Sequence, residues 1–141
     1  MTVLLDTCII VDALQKRDPF FEDAEKILLL CSSGQCAGVL TAKSLTDIYY
    51  LSHKLTHNDQ MSRLILSKLC AFLNLLNTEA TDLYQALASN ISDFEDAVMM
   101  ETAKRAKVDC IVTRNEKDYK DSPVPVYGPK SFLDLFKGTA L

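Results

Sequence analysis

The chain has 141 residues, 48% of them hydrophobic and 24% charged, with a formal net charge of −4 and an isoelectric point near 5.1. Those values exclude a disordered chain and argue against a passive nucleic-acid coat, which would be strongly basic. The longest unbroken apolar run, Ile27 to Cys31, is far too short to span a bilayer.

This length suits one compact domain over residues 1–141. Val3-Leu4-Leu5 reads as a short strand ending in Asp6, and Ile9 to Leu14 as a short helix closed by Asp18-Pro19. From Phe20 the apolar positions 20, 24, 27, 28 and 31 keep a helical period, with Gly34 at the C-terminal end. Cys36 to Leu40 is a second strand. Thr41 caps a helix expected to turn Ala42, Leu45, Ile48 and Tyr49 inward. Asn58 or Asp59 opens another, with Met61, Leu64, Ile65, Leu69 and Phe72 on one side.

Leu75-Leu76 reads as a brief third strand and Thr78 as the start of a helix running to about Ser89. Ser92-Asp93-Phe94-Glu95 has capping-box spacing, so a helix is expected from there to about Lys107. Cys110 to Thr113 and Val124 to Tyr127 complete the strands, and Ser131 to Phe136 is a last short helix. Strands alternating with helices predict a three-layer α/β/α fold around a parallel sheet of four to five strands. A site in such a fold lies beyond the carboxyl ends of the strands.

Five cysteines (Cys8, Cys31, Cys36, Cys70, Cys110) form no C-x-x-C pair. Asp6 interrupts the N-terminal apolar stretch and no basic segment precedes it, so no export signal is recognised. Free thiols in a cytoplasmic protein without a membrane segment are the expectation. His53 and His57 lack a cysteine pair beside them, which argues against zinc.

Four distant segments bring acids or an amide to one rim of the sheet. Asp6 closes the first strand, and Asp47 lies in the second turn after the second strand. Asp93 and Asp96 share one helix face, and Asn115 and Asp118 follow the fourth strand. Carboxylates gathered without cations repel one another. A hard divalent cation removes that conflict, and magnesium prefers oxygen ligands. An acidic rim without histidine suits phosphoryl-transfer chemistry. Each acid also has a plainer reading: Asp6 as a turn residue, Asp93 as a helix-dipole partner, Asp47 as an exposed helix residue, and Asn115 and Asp118 as parts of a solvated loop.

Leu4-Leu5-Asp6-Thr7-Cys8-Ile9-Ile10-Val11-Asp12 resembles the opening of a PIN domain, in which a strand ends in a metal-binding Asp followed by a small polar residue. Leu40 to Lys54 resembles the family's second acidic segment. Asp93-Phe94-Glu95-Asp96-Ala97 resembles its third, and Ile111-Val112-Thr113-Arg114-Asn115 its fourth. The resemblance implies a magnesium- or manganese-dependent endoribonuclease. Asp6, Asp47, Asp96 and Asn115, with Asp118 as a possible substitute, would be the metal-binding and catalytic set, supported by Thr7, Asp93 and Thr113. Arg114, Lys117 and Lys120 are the basic residues nearest the rim and the candidates for contact with RNA phosphates.

Small stand-alone members resemble the VapC toxins, which implies a homodimer and a small antitoxin as partner. Two departures stand out. Asp47 occupies a position that is commonly Glu, and Asn115 one that is commonly Asp. Shorter reach and a neutral oxygen open a second reading, a catalytically silent PIN scaffold that binds RNA or a protein. Asp12 is expected on a solvated helix face, Tyr49 and Tyr50 as packing residues, and Cys8 as a small buried thiol. A haloacid-dehalogenase-like phosphatase would need Asp-x-Asp after the first strand, where Asp6-Thr7-Cys8 stands.

Overall fold

The computed structural model describes residues 1–138. Five strands, β1 (Thr2–Leu5), β2 (Ala37–Thr41), β3 (Asn74–Leu76), β4 (Cys110–Val112) and β5 (Val126–Tyr127), pair in parallel in the order β3-β2-β1-β4-β5. The helices are α1 (Thr7–Leu14), α2 (Phe21–Ser32), α3 (Ala42–Thr56), α4 (Asp59–Cys70), α5 (Ala80–Ala88), α6 (Phe94–Ala106) and α7 (Pro129–Asp134), with a 3₁₀ turn at Glu116–Tyr119. This is the expected three-layer α/β/α arrangement.

The side-chain alternation of β1 builds both layers of the core. Val3 and Leu5 point to one face and join Ile9, Ile10, Ile27, Leu30, Ile48 and Phe132 from α1, α2, α3 and α7. Leu4 points to the other and meets Met99, Met100 and Ala103 of α6. β4 repeats the pattern, with Val112 on the first face and Ile111 on the second. A central strand buried on both sides therefore reads as an unbroken apolar triplet. α5 packs outside α6 through Ala86, Ala97 and Val98.

Tertiary packing moved several expected faces. Ala42 is exposed, and α3 instead buries Ser44, Ile48 and Ser52. The Thr41 hydroxyl accepts the Ser44 N–H at 3.0 Å and donates to the Ser44 hydroxyl at 2.9 Å, so the small polar residues are satisfied inside. Met61 and Leu64 of α4 face solvent at 48% and 49% exposure, while Ser62 and Leu69 are buried. Asn58 caps α4 by accepting the Met61 N–H at 3.0 Å. The α5 cap is Glu79, not Thr78, in a reciprocal box with Asp82. The α6 cap lies one residue later than Ser92, at Asp93. Tyr50 is 62% exposed rather than packed in the core, with the Lys54 ammonium 5.2 Å from the centre of its ring.

Candidate active site

Asp6 follows β1 with extended backbone, and its N–H donates to the Val112 carbonyl across the sheet at 3.0 Å. This fixes the carboxylate at the carboxyl edge, where it is 8% exposed. Thr113, the residue after β4, is fully buried and donates its hydroxyl to Asp6 Oδ2 at 2.6 Å. Its Oγ1 also accepts the Asn115 N–H at 3.0 Å. Cys8 Sγ lies 3.7 Å from the same carboxylate oxygen. Burial raises the Asp6 pKa above the ordinary carboxylate range, and hydrogen bonds from Thr113, the Thr7 backbone and Cys8 work against that rise. Burial, with the Asp6 charge adding to it, pushes the Cys8 thiol up to about 11, so it is not a poised nucleophile.

Asp96 comes from the first turn of α6. Its N–H donates to Asp93 Oδ1 at 3.0 Å, which makes Asp93 the helix cap. Burial pushes Asp96 up to about 6, and repulsion from Asp93, Asp6 and Asp118 adds to the rise. The Tyr119 hydroxyl opposes it by donating to Asp96 Oδ1 at 3.0 Å. Tyr119 is 1% exposed, with its ring in the α6 layer beside Met99. Sequence reasoning passed over it, although an aromatic ring closing the polar run Arg114 to Asp118 was a signal for a buried anchor.

A cleft of about 290 Å³ opens between α3 and α6 at this edge, and Asp6, Asp47 and Asp96 all line it together with Thr7, Thr41 and Tyr50. Asp47 is not free, however. Lys43, one turn earlier on α3, donates to Asp47 Oδ2 at 2.6 Å and lies 3.1 Å from Glu95 Oε1 on α6. Burial works against the Lys43 charge, but the two carboxylates outweigh it and raise the Lys43 pKa. Lys43 and Glu95 are further cleft residues that sequence reasoning missed, and the i, i+4 spacing of Lys43 and Asp47 was the available signal.

The other candidates stand apart from the cleft lining. Asn115 and Asp118 are exposed on and beside the 3₁₀ turn; Asp118 reaches the site only through its repulsion of Asp96. Lys117 and Lys120 are exposed there too. Arg114 is no free phosphate contact. It grips Asp12, with Nη2 donating to Oδ1 at 3.1 Å and Nε to Oδ2 at 2.5 Å, and it stacks 4.0 Å from the centre of the Phe20 ring. Asp12 is fully buried, which corrects the expected solvated face: Arg114 supplies the charge that lets it stay inside.

The donor chemistry of the cleft suits a hard cation. Asp6 and Asp96 offer carboxylate oxygens with no lysine or arginine paired to either among the described residues, and the lining contains no histidine or cysteine. Among the described residues no three His, Cys, Asp or Glu side chains form a ready-made cage. A cation here would therefore rest on two carboxylates and keep several waters, the usual habit of magnesium.

The comparisons with known proteins agree with this architecture. The profile of the PIN domain matches residues 2–117. The chain belongs to the PIN domain family. No curated protein sequence matches it. Among solved structures, it is similar to a toxin–antitoxin complex from Klebsiella pneumoniae, at 22% identity and TM-score 0.67 over 90% of this chain and 97% of that one. VapBC-1 from nontypeable Haemophilus influenzae is similar at 16% identity and TM-score 0.67, over 92% and 99% of the two chains. VapC20 of Mycobacterium tuberculosis, described as a toxin that cleaves the sarcin–ricin loop, aligns at 12% identity and TM-score 0.59 over 77% and 86%. At these identities the likeness is one of fold.

Proposed function

We propose that this protein is a metal-dependent endoribonuclease that hydrolyses RNA phosphodiesters, the toxin of a toxin–antitoxin pair. The observation that carries the reading is the pair of uncompensated carboxylates, Asp6 and Asp96, facing one cleft at the carboxyl edge of a PIN sheet. Membership of the family and the toxin folds among its structural neighbours support it.

Asp6 and Asp96 would hold the divalent ion, magnesium or manganese. Such an ion supplies Lewis acidity toward a phosphoryl oxygen and lowers the pKa of water. Thr113 keeps the Asp6 carboxylate in one orientation, and Tyr119 does the same for Asp96. Lys43 stands between Asp47 and Glu95, one ammonium against two carboxylates, so Asp47 lines the cleft with its charge only partly balanced. Asn115, Lys117, Asp118 and Lys120 are exposed on and beside the 3₁₀ turn, and under this reading the two lysines would be open to RNA phosphates. An antitoxin and a second copy of the chain are the protein partners this reading carries. Leu83, Tyr84 and Leu87 of α5 are exposed apolar side chains open to either.

RNA cleavage measured with and without chelator, alongside Asp6→Asn, tests the proposal. Cleavage that stops with EDTA, returns with manganese and is lost in the variant supports it; activity surviving both treatments ends it. The Lys43 ion pairs favour one second reading, a PIN scaffold that binds RNA without cutting it, because they occupy the second acidic position. A manganese titration separates the two. An intact site raises the melting temperature by linkage, whereas an unchanged melting temperature with RNA still bound identifies the scaffold.

A further inference from the structure

At the opposite edge of the sheet, away from the cleft, two cysteine thiols are held in contact. Cys31, in the last turn of α2, and Cys36, just before β2, have their sulfurs 3.6 Å apart. Backbone hydrogen bonds make this approach a property of the turn. Gln35 N–H donates to the Leu30 carbonyl at 3.0 Å, Gly34 N–H to the Cys31 carbonyl at 3.1 Å, and Gly34 adopts φ +81°. Gly38 on β2 leaves room for the pair, since a Cβ there would lie 2.6 Å from the Cys31 sulfur. Both residues are buried, at 5% and 4% exposure.

We propose that Cys31 and Cys36 form a reversible disulfide site, closed by a small peroxide. The sulfurs, now 3.6 Å apart, must approach by about 1.5 Å to reach the bonded distance of roughly 2.05 Å. The balance is complete with hydrogen peroxide as oxidant. Cys36 sulfur takes one peroxide oxygen to become a sulfenic acid, and the other oxygen leaves as water with the thiol proton. Cys31 sulfur then attacks the Cys36 sulfur; the S–S bond forms, the S–O bond breaks, and the hydroxyl leaves as water with the Cys31 proton. Two thiols are oxidised and one peroxide is reduced to two waters. Either thiol can donate across this contact; donation from Cys31 lowers the Cys36 pKa against its burial, and that arrangement favours Cys36 as the attacking sulfur.

The cross-link ties the end of α2 to the start of β2 and leaves Asp6 and Asp96 untouched. It does not depend on the nuclease reading. The test uses the full chain carrying Cys70→Ser, which removes the exposed thiol. After brief treatment with hydrogen peroxide, the protein is denatured, alkylated, digested and mapped by mass. The expected result is a peptide cross-linked between Cys31 and Cys36, Cys8 and Cys110 alkylated, and a melting temperature about 5 °C higher that falls back with dithiothreitol. Cys36→Ser should lose both the cross-link and the shift, and Cys31→Ala, the less disruptive partner variant, should do the same. Recovery of both thiols in alkylated form overturns the proposal. So does their conversion to sulfinic or sulfonic acid, or cross-linking that is as fast in urea as in the native protein.

Discussion

Two kinds of aspartate lie inside this molecule, and they are treated in opposite ways. Asp12 and Asp82 are 0% and 2% exposed, and each is gripped by an arginine: Arg114 holds Asp12, and Arg105 Nε donates to Asp82 Oδ1 at 2.9 Å. Arg105, the Glu79 backbone and Thr102 together outweigh burial and draw the Asp82 pKa below the ordinary carboxylate range. Asp6 and Asp96 receive hydroxyl groups instead, from Thr113 and Tyr119, and both are shifted upward. A fold that can neutralise buried acids with arginine leaves the buried Asp6 and the half-buried Asp96 without one at a single cleft. Under the proposed function, that retained charge is what attracts the cation.

The largest effect should come from removing one unneutralised acid. Asp6→Asn keeps the size and the Thr113 contact but halves the carboxylate charge of the cleft pair. Cleavage should fall by about a thousandfold, the scale of losing one preorganised electrostatic group, while the circular-dichroism melt stays cooperative. Retained cleavage would falsify the assignment of Asp6. The neutralised acids should answer the opposite way. Asp12→Asn strands the Arg114 guanidinium partly inside the fold. The urea midpoint should then report a loss of about 3 kcal/mol, with the activity of the remaining folded protein close to normal.

How much of this contrast could be read from the sequence follows from its physics. The rim itself was legible. Asp6, Asp47 and Asp96 each sit at a fixed offset from a strand end or helix start, and a parallel sheet sends all such positions to one edge. Which acids would be neutralised was not legible. Arg114 lies 102 residues from Asp12 and Arg105 lies 23 from Asp82, so no local spacing announces either pair. Tyr119 was hidden for a related reason: its value lies in a ring buried under α6 and a hydroxyl reaching Asp96, both set by tertiary packing. Helix faces failed at Ala42, Met61 and Leu64 because serines with short-range hydrogen-bond partners, Ser44 to Thr41 and Ser62 to Thr56, took the buried positions.

The pH dependence of stability sharpens the comparison further. Asp96 titrates at its ordinary 3.8 in the unfolded chain and at about 6 in the fold. Between those values the native state holds the extra proton, so stability rises as pH falls from 7 toward 5. Asp82, shifted the other way, gives up its contribution only as pH drops below its ordinary value of 3.8, so the two windows do not overlap. Metal-free protein should therefore melt a few degrees higher at pH 5 than at pH 7. Asp96→Asn should reduce that slope to the share left by Asp6, which is shifted the same way, and raise the melting temperature at pH 7. A slope unchanged in the variant would assign the effect to other groups.

The smallest effect belongs to Lys43, which stands between the two classes. Its single ammonium pairs with both Asp47 and Glu95, and all three side chains are substantially exposed, at 40%, 41% and 75%. Exposed pairs of this kind contribute about 1 kcal/mol or less, so Lys43→Met should barely move the urea midpoint. Its influence should appear in the cleft instead. With the lysine gone, Asp47 no longer has a resident cation and adds its charge to that of Asp6 and Asp96. Manganese affinity, read from the thermal shift of the RNA-free protein, should rise by about fivefold at most, because a pair worth under 1 kcal/mol cannot withhold more. Lys43→Arg should leave affinity unchanged if charge alone sets the balance. Weaker manganese binding in Lys43→Met would mean that the lysine orders Asp47 for the cation, and would place Asp47 with Asp6 and Asp96 rather than with the acids that arginine neutralises.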